Sequence, residues 1–175
     1  MVRVSRSVTI NRPPRAVYEF WQELENLPRF MYHLQEVHAT GNGRSHWIAR
    51  APAGQQVEWD AEIVEERPGE LIAWRALPGS DIHHEGSVRF RPAPADRGTE
   101  VEVTLQYDAP GGKAGALIAT MFGEEPSQQI RDDLRRLKQV METGEVVLSE
   151  GSLEGAGQGP HKQRAAQAPP TEVRR

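Results

Sequence analysis

Two adjacent histidines, His83 and His84, are the side chains in this sequence that most suggest metal chemistry, and Asp81 and Glu85 flank them. Imidazoles and carboxylates are common ligands of zinc and other transition metals. Neighbouring residues of a strand point to opposite faces, so the two imidazoles cannot readily share one ion there, although a loop would relax that restriction. We therefore expect exposed loop histidines and no metal site.

Proton-transfer catalysis needs an acid or base within about 3 Å of the proton that it moves. Few ionisable residues are expected on the inner face of the predicted strands. Tyr107 has a phenol, and Arg50 or Arg75 could bind a carboxylate or enolate if it turned inward. No inward His–Asp pair is visible, and Ser45 and Ser87 have no evident base. The sequence thus assigns no catalytic residue, and Tyr107 is kept only as a candidate.

Composition excludes several classes of function. The 175 residues include 21 Lys and Arg, 25 Asp and Glu and no Cys, so the formal net charge is −4. A negative chain argues against nucleic-acid binding, and the lack of Cys excludes disulfides, thiol catalysis and Cys-ligated zinc. Gly111-Gly112 is too little for a phosphate-binding loop, so no cofactor is expected.

Hydropathy gives no sign of membrane insertion or secretion. No apolar run approaches the roughly 20 residues that span a bilayer. Residues 1–6 lack the apolar core of a signal peptide. We expect a soluble cytoplasmic protein without a transmembrane segment.

The composition changes near Ser149. From there to Arg175 the chain consists of Gly, Ala, Gln, Pro and polar or charged residues, with Leu153 and Val173 as its only large aliphatic residues. Such a segment cannot bury enough apolar surface to offset the entropy of ordering. We therefore predict one domain over residues 1–147 and a disordered low-complexity tail over residues 148–175. A linker or an interaction arm is the alternative for this tail.

Hydrophobic periodicity predicts the order of the elements. Alternation predicts a strand over residues 2–10, helical spacing predicts a short helix from Asn11 to about Leu24, and residues 29–34 are expected to form a second helical turn. Six further strands are predicted over residues 33–40, 44–51, 57–64, 71–77, 82–91 and 101–108. Residues 109–112 are expected to end the strand region, and the chain is predicted to be helical from there to about Thr143, with an interruption at Pro126.

These elements predict an α+β domain. Short connections favour antiparallel pairing of about seven strands, and one apolar face per strand indicates a sheet covered on one side. Alternation places Asp60 and Glu62 on the opposite, solvated face. Since the C-terminal helix is the only element long enough to cover the apolar face, we expect a curved antiparallel sheet around that helix, with two short helices after the first strand.

Several motifs resemble one known superfamily. Residues 57–63 (VEWDAEI) and 67–75 (RPGELIAWR) look like the central hairpin of the bacterial polyketide cyclase/dehydrase branch of the START-like (SRPBCC) superfamily. Residues 86–90 (GSVRF), 98–101 (GTEV) and 13–21, which begin PPRAVY, are similar to other parts of that branch. The resemblance covers about residues 2–145. It implies the helix-grip fold, which birch-pollen-allergen-like and coenzyme Q-binding proteins share.

Members of this superfamily hold a hydrophobic ligand between the sheet and the long helix. The resemblance therefore implies a cavity lined by the apolar faces of both, with the segment from Leu27 to Leu34 as one rim. The implied lining residues are Trp59, Ile63, Ile72, Trp74, Val88, Phe90, Val103, Leu105 and Tyr107 on strands, and Leu117, Met121, Phe122, Ile130 and Leu134 on the helix. The same residues could instead form a filled core.

Three functions stay open at this point. The first is binding or transport of a small hydrophobic ligand, such as a lipid, a quinone or a polyketide-like ring. The second is an enzyme of the cyclase/dehydrase type, which would use the same cavity and would need an inward ionisable group. The third is a protein-interaction module that uses the tail or a sheet edge. A weak homodimer is also left open.

Overall fold

The computed structural model describes residues 2–50, 54–80, 82–108 and 126–144. The strands in these ranges are β1 Val2–Ile10, β2 Leu34–Gly41, β3 Arg44–Arg50, β4 Gln56–Arg67, β5 Leu71–Ala76, β6 His84–Pro92 and β7 Thr99–Tyr107. The helices are α1 Pro14–Gln22, the 3-10 helix η1 Leu24–Arg29, the 3-10 helix η2 Pro94–Asp96 and α2 Pro126–Thr143. Within the described ranges, no helix combines the length and the apolar character that crossing a membrane requires.

The seven strands form one antiparallel sheet in the order β1-β7-β6-β5-β4-β3-β2. Strands β2 to β6 each pair with the next strand along the chain, and a long connection brings β1 beside β7, with Val2 opposite Tyr107. In the hairpin between β2 and β3, Asn42 and Gly43 have φ angles of 55° and 73°, which these residue types tolerate. The predicted α+β class with an antiparallel sheet of about seven strands is confirmed.

One face of the sheet carries the core. Alternate residues of β7, among them Val101, Val103 and Leu105, are buried, as period-2 spacing predicts. The α2 helix packs against β1, and Lys138 Nζ donates to the Thr9 carbonyl at 2.8 Å. The buried side of α2 consists of Ile130, Asp133, Leu134, Leu137 and Val140. A helical stripe and a strand face thus meet to form the core.

The η1 helix lies earlier than the predicted second helical turn at residues 29–34. It spans Leu24–Arg29 and contains Pro28. The backbone N–H groups of Asn26 and Phe30 donate to the carbonyls of Glu23 and Leu27. Neither hydrogen bond needs an N–H from Pro28. The shift places residues 30–33 in the connection that leads into β2.

The β4 strand is longer than predicted and contains an irregularity. It continues to Arg67, three residues past the predicted end, because β5 pairs with its second half. The register shifts between Ile63 and Glu65, and the side chain of Val64 in this bulge is 48% exposed. A bulge bends the strand and so changes the direction in which the side chains on either side of it point.

Some predictions fall on residues outside the described ranges. These are the candidate lining residues Leu117, Met121 and Phe122, and the tail over residues 148–175. The predicted interruption at Pro126 coincides with the first described residue of α2. The domain boundary at residue 147 therefore stays a prediction.

Candidate functional site

A cavity lies between the sheet, α2 and the segment that runs from η1 into β2. Its volume is about 50 Å³, whereas one water needs roughly 10–15 Å³. The lining residues are Trp21, Leu27, Met31, His33, Leu34, Trp47, Trp59, Trp74, His84, Val103, Leu105, Ile130, Asp133 and Leu134. We call this space the tryptophan cavity. It has room for a few waters, and a larger ligand requires its lining to move, since a cavity that binds benzene measures about 150 Å³.

All four tryptophans of the chain line this cavity. Trp47 and Trp59 lie opposite each other on β3 and β4, and their rings stack with centroids 5.7 Å apart. Trp21 on α1 lies near Trp74 on β5, with ring centroids 6.4 Å apart. Trp21 was not among the predicted lining residues, because helical spacing identifies the buried face of a helix but not what that face packs against.

The position of Trp74 depends on the glycine opposite it. Gly86 on β6 is the cross-strand partner of Trp74, and the indole ring lies over the glycine backbone. A Cβ atom at Gly86 would stand 2.5 Å from Trp74 Cζ2, well inside van der Waals contact. Glycine therefore allows this ring to form one wall of the cavity.

His84 faces inward, contrary to the expectation that both histidines are exposed. It begins β6 and is 7% exposed, whereas His83 is exposed. Strand alternation explains the difference, and it separates the two imidazoles as predicted. Burial lowers the pKa of His84 to about 4, so its imidazole is neutral at pH 7. Among the described residues, no group of three or more His, Cys, Asp and Glu side chains is arranged to hold a metal ion.

The ring of Trp59 packs edge-on against that of His84, with centroids 5.8 Å apart and an interplanar angle of 79°. Trp59 Nε1 and His84 Nδ1 are both buried and have no hydrogen-bond partner among the described residues. By contrast, Trp47 Nε1 donates to Ser45 Oγ at 2.8 Å. Two side chains of the cavity lining therefore leave hydrogen-bonding capacity unused.

A second polar group of the cavity is formed by His33 and Asp133. His33 Nδ1 lies 3.8 Å from Asp133 Oδ2, and Asp133 Oδ1 accepts hydrogen bonds from Arg136 and Gln129, each at 2.9 Å. Burial, and then the positive charge of Arg136, lower the pKa of His33 to about 4. The positive charge of Arg136 offsets the negative charge of the Asp133 carboxylate, so burial decides that the pKa of His33 is lowered. The expectation that no inward His–Asp pair exists is wrong, because the partners lie 100 positions apart in the sequence.

Arg136, on α2, also contacts the predicted rim of the cavity, the segment from Leu27 to Leu34. Its guanidinium donates to the Phe30 carbonyl at 3.5 Å and stacks over the Tyr32 ring, 4.3 Å from the centroid. Cation–π contacts of this kind stabilise by about 0.5–2 kcal/mol. The connection between η1 and β2 is thus held to the helix by the same residue that orients Asp133.

The structure brings some of the predicted lining residues together and separates others. Those that line the tryptophan cavity are Trp59, Trp74, Val103, Leu105, Ile130 and Leu134. Ile63 and Ile72 instead line a separate groove beside Gly43, next to the β4 bulge. Val88 and Phe90 are buried in the core outside the lining, and Phe90 packs against Tyr18 with centroids 5.8 Å apart.

The residues considered for catalysis from the sequence lie elsewhere. Tyr107 is 6% exposed and lies beside His84 in the β6–β7 register, but it does not line the cavity. Arg50 and Arg75 do not turn inward, since both are exposed. Arg50 donates to the Tyr32 carbonyl, and Arg75 forms an ion pair with a β4 carboxylate at 2.7 Å. The ionisable groups that do reach the cavity are His33, His84 and Asp133.

Comparison with known proteins places this architecture in a family. The chain is 28% identical over 142 residues to an uncharacterised 17.2 kDa protein of Streptomyces lincolnensis, covering 81% of this chain and 91% of that one. The crystal structure of DR_A0006 from Deinococcus radiodurans is 43% identical, with a TM-score of 0.66, and the match covers 82% of this chain and 99% of that one.

A more distant likeness confirms the fold alone. The Zhui aromatase/cyclase from Streptomyces sp. R1128 is 19% identical, with a TM-score of 0.60 and coverage of 83% of this chain and 99% of that one. The present chain therefore has the helix-grip fold that its sequence motifs implied. The sequence model of the family described as polyketide cyclase/dehydrase and lipid transport matches residues 1–142. The chain therefore belongs to the polyketide cyclase/dehydrase and lipid transport family.

Proposed function

We propose that this chain binds a small, largely apolar ligand in the tryptophan cavity. The observation that carries the proposal is the convergence of all four tryptophans, from α1, β3, β4 and β5, on one apolar cavity. Cavities of this kind, with apolar walls and a few polar groups, are typical of small-molecule sites. A ligand the size of an aromatic side chain would bury about 200 Å². That burial is worth roughly 5 kcal/mol before ordering costs.

Family membership supports the proposal, since the family description includes lipid transport. The size of the cavity restricts what fits without movement. A volume of about 50 Å³ is too small for a long acyl chain, so a lipid would require the rim between η1 and β2 to separate from α2. The rim is held there by Arg136, whose contacts to Phe30 and Tyr32 would have to break.

The test is native mass spectrometry of freshly purified protein, followed by extraction and identification of any bound small molecule. A cavity-filling variant, Leu134→Phe, should lose the bound molecule, because Leu134 lines the cavity. Leu137→Phe makes the same change one turn along α2 at a buried core position outside the lining, and it should retain the molecule. Protein without a bound molecule, and without a thermal shift across a panel of small apolar compounds, would count against the proposal and favour a protein-interaction role.

Enzymatic activity of the cyclase/dehydrase type is the second candidate, and the His33–Asp133 pair favours it. A neutral imidazole next to a carboxylate can accept a proton from a substrate in the same cavity. The assay is deuterium exchange at the central carbon of 2,4-pentanedione in D₂O, followed by NMR. His33→Gln should abolish any acceleration over solvent, whereas Tyr107→Phe, outside the lining, should not change it. Exchange at the solvent rate would remove the candidate.

A further inference from the structure

We propose that Asn42 deamidates spontaneously, by attack of the Gly43 backbone nitrogen on its side chain, and that isoaspartate forms in the turn between β2 and β3. This modification is independent of the proposed ligand-binding function. The turn consists of residues 41–43 (Gly-Asn-Gly), whose φ angles are all positive, at 98°, 55° and 73°. Asn42 and Gly43 are both exposed, so solvent reaches the two groups that react.

The reacting groups of this turn are not held by other parts of the protein. Among the described residues, the side chain of Asn42 has no hydrogen-bond partner, and the N–H of Gly43 donates to no other group. Gly43 has no Cβ atom that could hinder attack by its own nitrogen. A nucleophile and an electrophile that are joined in this way react as if each were highly concentrated around the other.

The chemistry needs only water in addition to these two groups. After hydroxide removes the proton of the Gly43 nitrogen, that nitrogen forms a bond to Cγ of Asn42, the Cγ–Nδ2 bond breaks and ammonia leaves. The product is a succinimide ring. Water then opens the ring at either of its carbonyl carbons, which gives aspartate or isoaspartate, in which the backbone runs through Cβ and Cγ. One water is consumed and one ammonia is released, without oxidation or reduction.

The position of the turn in the sheet allows the local opening that this attack requires. β2 is an edge strand, since β3 is its only neighbour in the described sheet. The register of β2 with β3 is irregular between Ala39 and Gly41, so the ladder is interrupted directly before the turn. Segments with few backbone hydrogen bonds open at a low free-energy cost. The glycines on both sides of Asn42 also let the backbone rotate without a clash of Cβ atoms.

The other two asparagines of the chain lack this combination of features. Asn26 donates from Nδ2 to the Phe20 carbonyl at 3.0 Å. Asn11 precedes Arg12, whose N–H already donates to the last carbonyl of β1 at 2.8 Å. Neither is followed by glycine. The structure therefore selects Asn42 among the three.

Isoaspartate would change how the turn contacts β4. The Gly43 carbonyl accepts a hydrogen bond from the N–H of Ile63 at 2.8 Å, next to the β4 bulge. Isoaspartate adds one carbon to the backbone and one negative charge, so the Gly43 carbonyl should shift out of register with Ile63. Gly43 and Ile63 line the separate groove and not the tryptophan cavity. Ligand binding in the cavity should therefore be unaffected.

The test uses the full chain, incubated in the folded state at neutral pH for several weeks. Peptide mass spectrometry with electron-transfer fragmentation locates each deamidated residue and separates aspartate from isoaspartate. Isoaspartate should accumulate at residue 42 while Asn11 and Asn26 stay amides. Asn42→Gln should lose the modification, because glutamine would have to form a larger and less favourable ring. Asn11→Gln is the matched control at a second exposed asparagine, and it should leave the conversion of Asn42 unchanged.

Hydrogen exchange followed by NMR measures the structural consequence. The Ile63 amide should exchange about three- to tenfold faster in the modified protein, which is the value of one hydrogen bond. The indole signals of the four tryptophans should stay where they are, since none of these side chains contacts the turn.

Each outcome decides one part of the inference. Isoaspartate at residue 42 that is absent from Asn42→Gln supports it. If Asn42 converts only in urea, the folded turn protects the side chain and the inference is wrong. If aspartate forms without isoaspartate, water attacks the side chain directly and Gly43 is not the nucleophile. Conversion of Asn11 or Asn26 at the same rate would mean that the structure does not select the site. Unchanged exchange at Ile63 would refute the predicted shift of the Gly43 carbonyl.

Discussion

Lowering the pH from 7 to 5 should destabilise the fold through its buried histidines, and His84 gives the simplest case. Burial alone lowers its pKa from 6.5 to about 4. Between these two values the unfolded chain binds a proton at this site and the folded chain does not. The stabilising contribution of the neutral imidazole is therefore complete above about pH 6.5 and is lost as the pH falls toward 4.

The size of the effect follows from the two pKa values. Linkage between protonation and unfolding makes His84 cost about 2 kcal/mol of stability between pH 7 and pH 5. His33, whose pKa is also lowered to about 4, should add a similar amount. Glu25 and Glu142 also have lowered pKa values, but these carboxyl groups titrate mainly below this range. A loss of about 4 kcal/mol is large against a typical total of 5–15 kcal/mol.

The assay is urea unfolding, followed by tryptophan fluorescence, at several pH values from 7 to 5. His84→Phe should lose about 2 kcal/mol less than the wild-type protein over this range. His38→Gln is the control, because the side chain of His38 is 57% exposed and its ring lies 3.1 Å from the carboxylate of an exposed glutamate. Its stability should fall in parallel with that of the wild-type protein.

Equal losses in the wild-type protein and in His84→Phe would refute the reasoning, since they would mean that His84 accepts a proton in the folded state. If His84→Phe fails to fold, NMR of the ¹⁵N-labelled imidazoles in the wild-type protein gives the pKa directly. A value near 6.5 for His84 would contradict its burial in a neutral form.

Three further perturbations test the surrounding packing. Gly86→Ala should destabilise by about 1–3 kcal/mol in urea unfolding and change the near-UV circular dichroism, because the new Cβ would stand 2.5 Å from the Trp74 ring. Gly98→Ala should cost more than Gly86→Ala, because φ is +98° and the Cβ would lie 2.1 Å from the last carbonyl oxygen of β1; an equal or smaller loss would contradict this. Tyr18→Phe should cost about 1 kcal/mol and remove a tyrosine with a pKa of about 12 from a spectrophotometric titration, since its hydroxyl donates to Glu66.

The sheet could be predicted from the sequence because its signals are local. Alternation in β7, from Val101 to Leu105, identifies the buried face without knowledge of the neighbouring strands. The same rule separates His83 from His84, and it puts His84 on the same face as Val88 and Phe90 if the strand reaches back that far. The pairing of His84 with Tyr107 on β7 shows that β6 does begin at His84.

The composition of the cavity could not be predicted in the same way. Trp21, Met31 and His33 lie in or after α1 and η1, and their place beside the strand residues depends on how those helices pack on the sheet. The His33–Asp133 pair joins a connection near the N-terminus to the last helix, 100 positions away. No local periodicity encodes a contact between two elements that are so far apart in the sequence.

The amino-acid sequence by itself determined the strands, their inward faces and the family, because side-chain alternation and short motifs are properties of neighbouring residues. Tertiary structure alone decided which inward residues reach a common space. Ile63 and Ile72 have the same apolar character as Val103 and Leu105, yet they line a separate groove next to the β4 bulge. Whether apolar side chains enclose a cavity or fill it depends on the curvature of the sheet and on packing across the core, which arise only when all the elements are assembled.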